Sequence, residues 1–215
     1  MSACITVSDL SWSTPDGRPV LSKLDLSFGS ERTGLVGRNG VGKSTLLALI
    51  AGRLPPQSGA ISATGTLGVL RQSVQTDPDE TVADVFGVRE ALGRLRRAES
   101  GDADAETLAL ADWTLQGRLD ESLDRLGLQA RPETRLATLS GGQRTRVRLA
   151  ALVFAKPGFI LLDEPTNNLD GDGRAAVIGL LAGWRGGAIV VSHDRELLGT
   201  MDAIVELTSL GATRY

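Results

Sequence analysis

A chain of 215 residues, 41% hydrophobic and 23% charged, is long enough to bury a real core and fits one globular domain with a lobe inserted. One cysteine, Cys4, excludes a disulfide framework and a cysteine-based metal cluster, and a net charge of −3 argues against coating nucleic acid through bulk positive potential. The longest apolar runs, such as 159–162 and 188–191, are far too short to cross a bilayer, and no secretory signal opens the chain, so a cytoplasmic protein is expected.

Along the chain, residues 5–28 alternate loosely and turn at Pro15-Asp16-Gly17, which predicts a β-hairpin. Thr33–Val36 predicts a short strand that enters a glycine-rich loop, and 45–52 a helix stopped by Gly52 and Pro55. A further strand is expected within 65–72. From about 80 to 130 the pattern is helical and amphipathic, broken by the small acidic stretch 99–107. The last third returns to an α/β rhythm: a helix from Ser140, a strand over 159–163, a helix near 171–183, a strand over 188–192, then a closing helix and strand. Apolar strands alternating with helices indicate a mostly parallel sheet covered on both faces. The predicted organisation is a β subdomain and loop-bearing core over 1–72, a helical lobe over 73–139, and the rest of the α/β core over 140–215.

Gly37-Arg38-Asn39-Gly40-Val41-Gly42-Lys43-Ser44 matches GxxxxGK[ST], between a strand and a helix that continues through Thr45. Glycines let such a loop wrap phosphates with its N–H groups, and the helix N-terminus adds a favourable dipole. Lys43 is one of only three lysines against 20 arginines, so a slender point charge is placed where a planar fork is otherwise the default. It would reach the β- and γ-phosphates while the Ser44 hydroxyl holds Mg²⁺. The loop predicts a P-loop NTPase fold that binds a nucleoside triphosphate.

Such a site also needs a carboxylate at the end of a buried strand. Phe159–Glu164 offers Asp163, for Mg²⁺ through its water shell, and Glu164, to polarise the attacking water. Neighbouring strand residues point to opposite faces, so both serve one site only if the strand ends between them, which Pro165 favours. His193, the single histidine, follows the strand over 188–192 and so stands where ligands of parallel sheets collect, in reach of a γ-phosphate.

Leu139-Ser140-Gly141-Gly142-Gln143, between that loop and the strand ending in Asp163-Glu164, is a specific signature. With it the chain resembles, over essentially its full length, the nucleotide-binding domain of the ATP-binding cassette superfamily. The resemblance implies an ATPase in which two domains face head to tail. The Gly37–Ser44 loop of one and the Ser140–Gln143 helix start of the other then clasp the same ATP. It further implies that Gln72 contacts Mg²⁺ or the attacking water, that Asn168-Leu169-Asp170 touches the opposite domain beside its nucleotide, and that Trp12 stacks on adenine. A buried strand aromatic is the rival reading of Trp12.

DEPTNNLD (163–170), with Asn168 where a histidine is usual, and VVSHDREL (190–197) are similar to the F branch of the superfamily. Its members carry two cassettes and act on ribosomes. The expectation is therefore an ATP-hydrolysing cassette of an F-type translation or ribosome-protection factor, with a second cassette and ribosomal RNA as partners. Either the chain is part of a two-cassette protein or it pairs with a separate copy. Arg94, Arg96 and Arg97 are candidates for an RNA contact, the alternative being a solvated helix face. Two other functions stay open: the ATPase subunit of a transporter, with a membrane permease as partner, and an ATP-gated binding module in which hydrolysis is incidental.

Overall fold

The computed structural model of the chain describes residues 3–70 and 77–215; Gln72 lies outside the described residues. The elements in chain order are β1 (Cys4–Ser13), β2 (Pro19–Phe28), β3 (Arg32–Val36), α1 (Lys43–Ile50), β4 (Ser58–Thr64), β5 (Leu67–Val69), α2 (Val82–Val85), α3 (Arg89–Ser100), α4 (Ala105–Leu110), α5 (Leu115–Asp124), α6 (Gly141–Phe154), β6 (Phe159–Asp163), α7 (Gly171–Ala182), β7 (Gly187–Val191), α8 (Arg195–Leu198), β8 (Ala203–Thr208) and β9 (Gly211–Arg214). The chain divides into two compact units, a core formed by residues up to 70 with 157–167 and 178–215, and a lobe formed by 71–156 with 168–177.

In the core, the strands of the described residues form two sheets, one in the order β2-β1-β4 and one in the order β5-β6-β7-β3-β8-β9. The first is antiparallel. In the second, β5 through β8 pair parallel and only β9 is antiparallel. β6 and β7 are buried almost throughout, as strands covered on both faces must be. β1 and β2 alternate only loosely because each carries a bulge. Asp9 and Lys23 adopt positive φ, and the register shifts beside both. An extra residue reverses the in–out parity of the positions beyond it, so the buried positions run Ile5, Val7, Leu10 on one strand and Leu21, Leu24 on the other. These side chains join Phe28, Leu35, Leu46, Leu47, Phe159 and Ile189 in one apolar cluster.

In the lobe, α3 ends at Ser100 with Gly101 in the left-handed conformation, and Asp104 caps α4 by accepting from the Thr107 N–H at 2.8 Å. The acidic stretch expected to be a boundary is one. The limit drawn at residue 140 moves, however: α6 groups with the lobe, because its side chains pack there. Phe154 meets Phe86 edge-to-face at 5.3 Å, and the Arg118 guanidinium lies 5.2 Å from the Phe154 ring. Arg96 forms an ion pair with Glu133, and Arg94 Nε is buried with no hydrogen-bond partner among the described residues. Two of the three arginines considered for an RNA contact are thus engaged or enclosed within the lobe.

In the core, Arg32 and Asp202 form a multiply bonded ion pair. Arg32 donates to Asp202 from Nη2 at 2.6 Å, from Nε at 3.0 Å and from its backbone N–H at 2.8 Å. Its Nη1 donates to the Ala182 carbonyl at 2.6 Å. These bonds hold the Asp202 carboxyl down to about 2 from its ordinary 3.8. A depressed carboxyl contributes stability that is complete above its unfolded value and is lost as pH falls through its folded value. With Asp202 43% exposed, solvent screening limits the contribution to roughly 1 kcal/mol. Asp202→Asn should therefore lower the unfolding free energy by about 1 kcal/mol at pH 7. In urea titrations that difference should shrink between pH 4 and pH 2.

Candidate nucleotide site

The site lies where three parallel strands end. β3 leads into the loop 37–42, whose path depends on two glycines. Gly37 has φ +146°, and a Cβ there would collide with the Leu207 carbonyl oxygen. Gly42 has φ +108° and caps α1, its carbonyl accepting from the Leu46 N–H at 2.8 Å. Lys43 is thereby the first residue of α1 and is only 7% exposed. Its ammonium donates to the carbonyls of Gly37 at 2.8 Å and Arg38 at 3.2 Å, so the loop is closed around a buried cation. A buried charge needs compensation. Carbonyl dipoles supply part of it, and a phosphate oxygen would supply more.

β6 ends at Asp163. Glu164 departs from the strand with φ +47°, while its N–H still donates to the Val191 carbonyl of β7 at 2.9 Å. The strand break expected between the two carboxylates is therefore present, and both line one cavity. His193 follows β7 in a tight turn. The Asp194 N–H donates to Ser192 Oγ at 3.1 Å, and Asp194 Oδ1 accepts from the N–H groups of Glu196 and Leu197 at the start of α8. This turn sets His193 Nε2 3.5 Å from Glu164 Oε1. Glu164 is largely enclosed and His193 is 58% exposed, so the pair has a protein side and an open side.

The cavity measures about 580 Å³, the size of a site for a whole nucleotide. Asn39 through Thr45, Asp163, Glu164 and His193 line it together. The Ser44 hydroxyl and the Asp163 carboxylate are hard oxygen donors in one cavity. That suits Mg²⁺, which takes one or two protein ligands alongside water and phosphate oxygens.

The signature residues belong to the lobe. Ser140 Oγ accepts from the Gln143 N–H at 3.2 Å, and Gln143 Oε1 accepts from the Ser140 N–H at 2.9 Å. This reciprocal box fixes the start of α6 and uses the Gln143 side chain to do it. Gly141 faces open space, whereas Gly142 packs so closely that a Cβ would sit 3.0 Å from the Asn168 carbonyl oxygen. Asp170 caps the next helix, Oδ1 accepting from the Gly173 N–H at 2.8 Å.

Trp12 pairs in register with Leu21 and packs against the apolar cluster, and the cavity wall is built instead from Thr14, Arg18, Pro19 and Val20 of the neighbouring turn and from Ser209. Sequence reading missed these. Their signal was the Pro15-Asp16-Gly17 turn, whose functional side was not evident from turn chemistry alone. It also missed Arg146, 8% exposed, which donates to the Leu126 carbonyl at 3.1 Å and lies 3.9 Å from Asp170. Its spacing of four from Ala150 places it on the buried stripe of α6, and that spacing could have flagged it.

The profile of the family described as ABC transporter matches residues 21–167. The tylosin resistance ATP-binding protein TlrC of Streptomyces fradiae is 37% identical over 93% of this chain and 42% of its own length. The energy-dependent translational throttle protein EttA of Mycobacterium tuberculosis is 34% identical over 87% of this chain and 38% of its own. The chain thus spans less than half the length of these relatives. Among solved structures, an ATP-binding subunit of an ABC transporter superposes with a TM-score of 0.78 at 21% identity, covering 98% of this chain and 89% of that one. A bacterial ABC transporter cassette solved as a dimer gives 0.77 at 22% identity, covering 98% and 97%. These likenesses show the fold: a P-loop α/β core with an antiparallel β sheet and a helical lobe. With the loop at Lys43, the carboxylates at the end of β6 and the signature before α6, they establish that this chain belongs to the ABC family and is a nucleotide-binding cassette similar to those of ABC-F proteins.

Proposed function

We propose that this chain is an ATP-hydrolysing cassette of an ABC-F translation or ribosome-protection factor, acting in the cytoplasm. The observation that carries the chemistry is the Glu164–His193 pair, 3.5 Å apart in the same cavity as Lys43 and Asp163. In-line attack on a γ-phosphate needs an oriented water, and Glu164 Oε1 would accept that water's proton as the nucleophile approaches. His193, on the open side, would hold a γ-phosphate oxygen. Lys43 would leave the Gly37 and Arg38 carbonyls in part to meet the β- and γ-phosphates, stabilising the charge that develops on them. Ser44 and Asp163, with Gln72 as a further candidate, would hold Mg²⁺, which would supply neutralisation of the phosphate charge.

Ser140, Gly141, Gly142 and Gln143 would serve the nucleotide of a second cassette, in the same full-length protein or in another copy, with Asp170 beside it. The preformed Ser140–Gln143 box supports this. It presents a fixed helix N-terminus with the Gly141 side open, the arrangement that suits a phosphate. The translational role is supported by the name of the EttA relative, and a link to antibiotic resistance by that of TlrC.

Glu164→Gln should leave ATP binding within a few-fold of the unaltered chain and lower turnover by roughly 10²- to 10⁴-fold, measured as phosphate release. Unchanged turnover would remove Glu164 from the chemistry. In the full-length protein the same substitution should cause co-sedimentation with ribosomes in the presence of ATP and not without it. Equal sedimentation in both conditions, or none in either, would count against the translational reading.

A further inference from the structure

The phosphate and catalytic ends of the cavity are assigned by the loop 39–45 and by Asp163, Glu164 and His193. What is left of the wall is mainly the β1–β2 turn, through Thr14, Arg18, Pro19 and Val20. This turn adjoins the phosphate loop: a Cβ on Gly42 would stand 2.8 Å from Val20 Cγ1. A nucleotide whose phosphates lie on the loop can place its base against these residues, none of which is aromatic. Trp12 does not line the cavity and lies half-buried against the apolar cluster.

The turn is rigid. The Thr14 N–H donates to the Arg18 carbonyl at 2.9 Å, the Thr14 hydroxyl donates to the same oxygen at 3.2 Å, and the Gly17 N–H donates to the Thr14 carbonyl at 2.8 Å. With its backbone held and its side chain exposed, Arg18 is free to turn its guanidinium plane over a ring. A planar delocalised cation stacks on π faces as well as on carboxylates.

We propose that Arg18, flanked by Val20, is the platform for the nucleotide base, in place of an aromatic residue. This rests on the reading that the cavity takes a nucleoside triphosphate. Stacking reads a π face and not its edge, and the Thr14 hydroxyl is already engaged by the Arg18 carbonyl. The ligand class is accordingly a purine nucleoside triphosphate of either base, held with only a few-fold preference between ATP and GTP. Strong discrimination would need buried edge-reading donors and acceptors.

The test is calorimetric titration with ATP, GTP and inorganic tripolyphosphate, each with Mg²⁺, in a Glu164→Gln background that prevents turnover. Arg18→Ala should weaken ATP and GTP alike by about 2- to 30-fold and leave tripolyphosphate unchanged. Arg18→Tyr should restore both nucleotides. The proposal is overturned if tripolyphosphate weakens equally, which would make Arg18 a phosphate ligand. A loss confined to GTP would overturn it too, since that marks an edge-on contact. So would the absence of any loss, or an Arg18→Tyr variant as weak as Arg18→Ala. Base-selective loss in Trp12→Phe, with Arg18→Ala silent, would return the platform to Trp12. If the unaltered chain binds neither nucleotide nor tripolyphosphate, it is the reading of the cavity that fails.

Discussion

The register of one buried residue aligns the chemistry of this cassette. Val191, the last residue of β7, pairs with Leu35 of β3 on one side and with Asp163 of β6 on the other. The phosphate loop begins two residues after Leu35, Glu164 directly after Asp163, and His193 two residues after Val191. Three segments distant in sequence therefore leave the sheet at one level, at the carboxyl ends of adjacent strands. A slip of one residue between β6 and β7 would turn Asp163 to the other face and take the Glu164 N–H away from the Val191 carbonyl. The sheet is apolar at nearly every position of these strands, so hydrophobic burial maintains the register that the polar site needs.

Left-handed backbone recurs in the phosphate loop and at the end of β6. Gly37, Gly42 and Glu164 all adopt positive φ. At the glycines that conformation is accessible without a side-chain penalty, and at Gly37 it coincides with contact against the Leu207 carbonyl. At Glu164 it costs on the order of 1 kcal/mol or more, offset by the hydrogen bond to Val191 and by the pairing of the strand before it. The return is directional. Continued extended backbone would send the Glu164 side chain to the face opposite Asp163, whereas the left-handed residue brings both carboxylates into one cavity.

Much of this was legible in the sequence, because the informative residues are contiguous. The loop at Gly37–Ser44, the acids closing 159–164 and the capped start of α6 each carry their physics within a few positions, and the strand break at Glu164 could be reasoned from parity. What escaped depends on pairs of distant segments. The loose alternation of β1 and β2 hides bulges at Asp9 and Lys23, visible only once the strands are paired. Nothing local shows that Trp12 packs, half-buried, on an apolar cluster drawn from distant strands. Arg146 has partners that no local pattern names. Its neighbours Leu126 and Asp170 are 20 residues before it and 24 after it.

Arg146 also ties the signature helix to its surroundings within the lobe. Its guanidinium takes the carbonyl after α5 on one side and approaches the Asp170 carboxylate on the other. The pair is one-sided: the Arg146 guanidinium is enclosed and needs its charge answered, whereas Asp170 is 70% exposed and is also served by solvent. The same Asp170 caps α7, and Gly142 packs on the Asn168 carbonyl two residues earlier. The helix start at Ser140 and the segment around Asp170 are thus braced against each other within the lobe. Preorganised donors lose little entropy on meeting an anion, whereas a loop that had to order itself would lose much of its affinity in doing so. The helix start is thus closed by its own capping box and propped by a buried arginine, whose Nε keeps no hydrogen-bond partner among the described residues. Closure of the helix start within its own unit is what a half-site requires if it is to serve the nucleotide of another cassette.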